Sequence, residues 1–150
     1  MSHRIRAIAT GVLVAAATLS VPVTAGADPL PTDVPTITMT VRNDTDAPMV
    51  LSGVVNQFGS WVDEASTVVS ARTTETISAA STDRRGFGVQ VSYTMPGDAR
   101  VVLMTSDYGT GPANTDGTRI DGGNQHGYAV ASTVDTGFPY MTATFTVTRR

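Results

Sequence analysis

The 150-residue chain contains no cysteine and no lysine, one tryptophan and two histidines. Each shortage excludes something. Without cysteine there is no disulfide framework, no thiolate metal site and no thiol nucleophile, so an exported domain must rest on packing and sheet hydrogen bonds. Without lysine there is no phosphate-cradling glycine loop closed by a lysine, and all basicity comes from arginine. The sequence also lacks a Gly-x-Ser-x-Gly nucleophile elbow and a paired-histidine helix motif. No cofactor fingerprint is present, so no cofactor is expected. No stretch carries the 3.6-residue apolar periodicity of an amphipathic helix.

The first 27 residues read as a leader. His3, Arg4 and Arg6 form a basic start, residues 8–23 are apolar, and Ala25-Gly26-Ala27 gives the small-x-small pattern of a cleavage site. Arg4 and Arg6 are not adjacent, which favours the general secretory route over the twin-arginine one. The expectation is a signal peptide over 1–27, an extended proline-rich tether over 28–35 (DPLPTDVP), one domain over 36–150, and a freely secreted product. Arg-only basicity and the Ala/Val-rich leader fit a bacterial chain with a GC-rich genome.

Removal of Arg4 and Arg6 leaves eight arginines against thirteen acidic groups, a net charge of −5. An acidic domain does not bind nucleic acid through a basic field, nor dock on anionic lipid by charge alone.

What is present is two-residue alternation. The clearest stretch is 86–106, GFGVQVSYTMPGDARVVLMTS. Phe87, Val89, Val91 and Tyr93 fall on one face, and Met95-Pro96-Gly97-Asp98 supplies a turn. Pairing Met95 with Asp98 predicts Tyr93 opposite Arg100, Val91 opposite Val102 and Val89 opposite Met104. Further strands are expected over 36–42, 49–56, 67–69, 72–80, 128–134 and 140–148, with Asn, Asp, Gly and Pro clusters between them. About eight strands and no helix predict an all-β fold, a two-sheet antiparallel β-sandwich, with a closed barrel as the alternative.

Candidate chemistry gathers in the loops. Residues 107–127 form the longest irregular stretch, rich in glycine and carrying Asp107, Asn114, Asp116, Asp121 and Asn124. These are hard oxygen ligands of the kind calcium takes, yet the spacing and closing glutamate of a helical-hand loop are missing, and the same residues are ordinary turn formers. No metal site is assigned. His126 lies in this loop, and with Asp107, Asp121 and neighbouring serines a Ser/His/Asp set can be written, without any feature that fixes its geometry. Trp61, Tyr108, Tyr128, Phe138 and Tyr140 lie in or beside loops, where an aromatic ring can form a binding platform or sit at a membrane interface. The residues expected to bind a ligand are Trp61, Tyr108, His126, Tyr128 and Phe138. For Trp61 the competing reading, a ring that caps one open end of the sandwich as core, carries the greater weight, as tryptophan is highly buried on average.

The order of these features resembles a known family. Thr36-Ile37-Thr38-Met39-Thr40-Val41-Arg42-Asn43 is similar to the opening strand of aegerolysin-like proteins and related bacterial crystal-toxin β-sandwiches. Gly59-Ser60-Trp61 resembles their Gly-x-Trp step, and Gly86-Phe87-Gly88-Val89-Gln90-Val91-Ser92-Tyr93 their glycine-led strand. Tyr128-Ala129-Val130 and Thr144-Phe145-Thr146-Val147 also look like counterparts. The resemblance implies a non-enzymatic sandwich that binds a membrane lipid or extracellular protein partner through loops, as one component of a cytolytic or toxin-like system. Two other classes stay open: a cell-envelope structural, adhesion or inhibitor module, and a small secreted hydrolase using His126.

Overall fold

The computed structural model describes residues 28–125 and 127–150. The expected leader and His126 lie outside them. Ten strands follow one another: β1 (Thr36–Asn43), β2 (Met49–Val55), β3 (Ser60–Asp63), β4 (Val68–Val69), β5 (Thr74–Ala80), β6 (Gly86–Met95), β7 (Ala99–Tyr108), β8 (Arg119–Gly122), β9 (Tyr128–Thr136) and β10 (Tyr140–Arg149). They form two five-stranded sheets, β3-β5-β1-β10-β9 and β4-β2-β6-β7-β8. The expected all-β sandwich is present, with no helix among the described residues. Every ladder is antiparallel except β1–β10, which runs parallel and brings Thr36 beside Tyr140.

Alternation explains the core. Ile37, Met39 and Val41 of β1, Met141, Ala143, Phe145 and Val147 of β10, and Ile77 and Ala79 of β5 point inward from the first sheet. Phe87, Val89, Val91, Tyr93 and Met95 of β6, with Ala99, Val101 and Leu103 of β7, point inward from the second. Period two puts every other side chain on one face, and two such faces pack together to exclude water. Threonines fill the outward positions of β1 and β10, where the β-branch favours extended backbone. A polar tie also crosses between the sheets: the buried Tyr93 hydroxyl donates to the Glu75 carboxylate. Burial, then that carboxylate, pushes the Tyr93 phenol well above its ordinary value.

The β6–β7 hairpin exists, in a different register from the one expected. Met95 pairs with Ala99, Tyr93 with Val101, Val91 with Leu103 and Val89 with Thr105. Pro96, Gly97 and Asp98 make a three-residue connection in which Gly97 (φ 82°) and Asp98 (φ 62°) are left-handed. The shift of one residue exchanges the faces of β7. It turns Ala99, Val101 and Leu103 inward and leaves Arg100 in solvent, whereas the expected register would have set Arg100 beside Tyr93.

Two strands go beyond the eight expected. β3 is held on β5 through Trp61 opposite Ala79, and β8 crosses the stretch expected to be irregular, paired with β7. Both are four residues long and lie at sheet edges, where a short polar strand gives little periodic signal. The proline-rich segment before β1 bends at residues 32–34 and is anchored to the domain. The Ser81 amide donates to the Pro35 carbonyl, and the Tyr140 hydroxyl to the Thr32 carbonyl.

Candidate functional site

Strand directions fix which loops share an end. β1 and β10 start at the same end because they are parallel. The partners Thr36–Ala80, Ser60–Ala80 and Gly86–Tyr108 bring the ends of β5 and β7 and the starts of β3 and β6 there as well. This end therefore carries the 28–35 segment, the β2–β3 turn with Phe58, the β5–β6 loop with Arg84 and Arg85, the exit of β7 with Tyr108, and the β9–β10 turn with Phe138.

Four aromatic rings stand out of these loops. Phe58 is 58% exposed, Tyr140 47%, Tyr108 41% and Phe138 41%. A folded domain buries most of its aromatic surface, so four half-exposed rings on one end are unusual. Local contacts hold them outward. The Ser81 hydroxyl donates to the Phe58 carbonyl and fixes the tip of the β2–β3 turn. Gly109 lies flat under Phe138, where a Cβ would come within 3.1 Å of the ring. The Gly109 amide donates to the Arg85 carbonyl at 3.1 Å, tying the β7 exit to the β5–β6 loop. Gly86 (φ 94°) turns the chain into β6 so close to β7 that a Cβ would lie 1.9 Å from the Asp107 carbonyl oxygen, which only glycine permits.

Grooves run between the rings. Phe58 and Tyr108 wall a cleft of about 290 Å³ floored by Asp83, Arg85, Gly86 and Thr110. Arg84, Phe138, Pro139 and Tyr140 line another of about 220 Å³ with Asp33, Val34 and Pro35. Phe58 also borders a shallow groove of about 480 Å³ against Pro31 and Val34. The two arginines differ. Arg85 grips Asp83 through Nη2–Oδ2 at 2.7 Å and Nε–Oδ1 at 3.0 Å. Hydrogen bonds from the Arg85 side chain and backbone hold the Asp83 carboxyl down at about 2. Arg84 makes no ion pair among the described residues, so its charge is available to a ligand.

Of the residues expected to bind a ligand, Tyr108 and Phe138 meet at this end. Tyr128 does not. It sits at the opposite end, where its hydroxyl donates to the Pro96 carbonyl at 3.2 Å and the Arg149 guanidinium lies 5.4 Å from its ring centre. Trp61 is partly buried, packed against the core beside Leu51, Val54, Glu64 and Ala65 along the side of the sandwich. Phe58, Arg84 and Arg85 are additional members of the end that loop reading passed over. Phe58 had a signal, an aromatic directly before a glycine in a turn. Tyr140 had another, since Met141 begins the inward series and leaves it outward.

The oxygen ligands of 107–127 diverge. Asp107 points between the sheets and is 1% exposed, and desolvation raises its carboxyl above the ordinary value. Asp121 is bound by Arg100 at 2.8 Å and Arg119 at 3.1 Å. Asn114 accepts the Asp116 amide at 3.1 Å. No cluster of three ligating side chains occurs among the described residues. Asp107 and Asp121, the two carboxylates of the Ser/His/Asp set, are thus buried in one case and paired in the other.

No protein-family model matches the chain, and no curated protein is similar to it in sequence. The fold is shared with solved structures. The lipid binding protein Nakanori superposes with a TM-score of 0.68 at 5% identity, over 77% of this chain and 72% of that one. IP-1A from Alcaligenes faecalis superposes with a TM-score of 0.51 at 11% identity, over 78% of this chain and 92% of that one. At such identities the likeness is one of fold, and it establishes that the two-sheet arrangement is the one found in a lipid binding protein.

Proposed function

We propose that the chain is a secreted, non-enzymatic β-sandwich that docks on a lipid membrane through the end bearing Phe58, Tyr108, Phe138 and Tyr140. The observation that carries this reading is the gathering of four half-exposed rings at one end, from two turns, a strand end and a strand start. Arg84 lies beside Phe138 and Tyr140, without an ion pair among the described residues. An aromatic ring at an interface buries its apolar body among acyl chains and keeps a polar edge in water. Full withdrawal of one such ring from water contributes about 1–2 kcal/mol at the usual area coefficient, so several rings together can hold a protein on a bilayer. Arg84 supplies a donor for a headgroup oxygen, such as a phosphate. The fold shared with Nakanori supports a lipid ligand. The resemblance to aegerolysin-like proteins supports the same reading and extends it to one component of a cytolytic or toxin-like system.

Co-sedimentation with vesicles of zwitterionic, anionic and sterol-containing lipid tests this directly. The expected result is retention that is lost in Phe58→Ala/Tyr140→Ala while the fold persists. No retention on any composition, with no lysis of cells, would end the membrane reading. Recovery of a stable extracellular protein partner in its place would favour the adhesion or inhibitor alternative.

A further inference from the structure

The four edges of the two sheets are not alike. β3 is four residues long, carries Asp63 and is interrupted by a bulge against β5. β4 has two residues, and the open part of β2 beyond it is broken by the bulge at Ser52. β8 has four residues, carries Arg119 and Asp121, and ends at Gly122 in the left-handed region. Short length, charge and bulges are the devices that keep an edge from pairing with another chain. β9 has none of them over most of its course. It runs nine residues, and Tyr128–Val134 contains no charge, proline, glycine or bulge; the irregularity against β10 falls only at Asp135.

The outer backbone of β9 is also unoccupied. Among the described residues its ladder is with β10 alone, and no other backbone hydrogen bond reaches residues 129–136. The β7–β8 loop touches β9 through the Thr115 and Ser132 hydroxyls at 2.8 Å, which leaves the Ser132 amide and carbonyl untouched. Unpaired strand groups of this kind are satisfied by water or by a further strand.

We infer that β9 is a pairing edge for a second copy of this chain, joining two five-stranded sheets into one of ten strands about a two-fold axis. Antiparallel pairing about Ser132 is self-complementary. It sets Val130 opposite Val134 of the second copy on the inner face, where Val134 is otherwise 38% exposed. On the outer face it sets Ala131 opposite Thr133 and Ala129 opposite Asp135, so no like charges meet. The interface lies on the side of the sandwich. It leaves the aromatic end open on both copies, and it stands whether or not that end binds lipid.

Sedimentation equilibrium of the purified chain, across micromolar to near-millimolar concentration, is the test. A reversible monomer–dimer equilibrium is expected. Hydrogen exchange in the dimer should show concentration-dependent protection confined to β9. Thr133→Glu, at an exposed outer position, should weaken dimerisation at least about tenfold, or about 1.4 kcal/mol, with an unchanged melting temperature at concentrations where the parent is monomeric. Ala131→Arg is a second variant with the same expected outcome. A monomer at every concentration overturns the proposal. So does a dimer that both variants leave intact, or one whose concentration-dependent protection falls outside β9.

Discussion

The two ends of the sandwich are built from the same kinds of residue and treat them in opposite ways. At the far end, the Asn43 side chain is fully buried and donates to the carbonyls of Ala47, Val69 and Ser70 at 2.9, 3.1 and 3.0 Å. Its own oxygen accepts the Thr45 amide and hydroxyl at 3.1 and 2.7 Å. One asparagine thus ties the β1–β2 turn to the β4–β5 connection, and the aromatic at that end, Tyr128, is held by Pro96 and Arg149. At the near end the turns are just as firmly bonded through backbone, yet the rings they present touch solvent. Where polar and aromatic groups all find partners inside the molecule, a loop serves folding. Where the backbone is fixed and the side chains are left over, the loop is prepared for something outside.

The largest effect should come from breaking the satisfied end. Asn43→Ala leaves the Thr45 amide without its acceptor and takes a donor from the carbonyls of Ala47, Val69 and Ser70. Of these, Ala47 and Ser70 keep the Thr45 and Thr73 hydroxyls, and the expected cost is about 2 kcal/mol in urea unfolding. Vesicle retention of the protein that remains folded should not change. Loss of retention at full folding would mean that the two ends are not separable in function.

The next effect runs the other way. Phe58→Ala and Tyr140→Ala should each weaken vesicle binding about tenfold, as removal of about 1.4 kcal/mol of interfacial burial requires. The folding stability of Phe58→Ala should stay within about 0.5 kcal/mol of the parent, and that of Tyr140→Ala, which also loses the bond to the Thr32 carbonyl, within about 1.5 kcal/mol. Tyr128→Ala, at the far end, should leave binding unaltered.

Asp107 sharpens the boundary between the near end and the core. Its buried carboxyl is raised by desolvation, so the folded state holds its proton more tightly than the unfolded chain does. Stability from this group is greatest below the ordinary carboxylate value of about 4 and is lost as pH rises through the elevated folded value. Asp107→Asn should therefore raise the melting temperature at neutral pH and flatten its dependence on pH above 4. A lower melting temperature at neutral pH would show that the charged form has a partner.

The smallest change in stability is expected at Asp83. Its carboxyl is held at about 2 by Arg85, so the pair contributes above the unfolded value and is lost as pH falls from about 4 towards 2. The pair is exposed, and Asp83→Asn should leave the neutral melting temperature almost unmoved. It frees Arg85 beside the Phe58–Tyr108 cleft, so retention on anionic vesicles should rise relative to zwitterionic ones.

Most of the long strands were legible because alternation is local: a reader needs only the neighbours of Val89 or Phe145 to see which way each points. The β6–β7 register was not legible, because a two-residue and a three-residue turn both fit Pro96-Gly97-Asp98. The choice lies in how β7 meets the opposite sheet. Tyr108 and Phe138 were legible as loop aromatics, but Tyr128 and Trp61 carry the same signal and have other partners.

The sequence by itself determined that this chain is all-β, that it stands without disulfides, and which face of most strands turns inward. These follow from a period of two and from composition, and both are properties of neighbouring residues. Only the tertiary structure decided that Phe58, Arg84, Tyr108, Phe138 and Tyr140 share one end while Tyr128 faces the other. Phe58 and Tyr140 are 82 positions apart in sequence. They come to one end because β10 lies parallel beside β1, and β1 in turn pairs with the β5 strand that carries β3. Strand pairing over such separations is chosen by the packing of the whole core, and no short window of residues contains it.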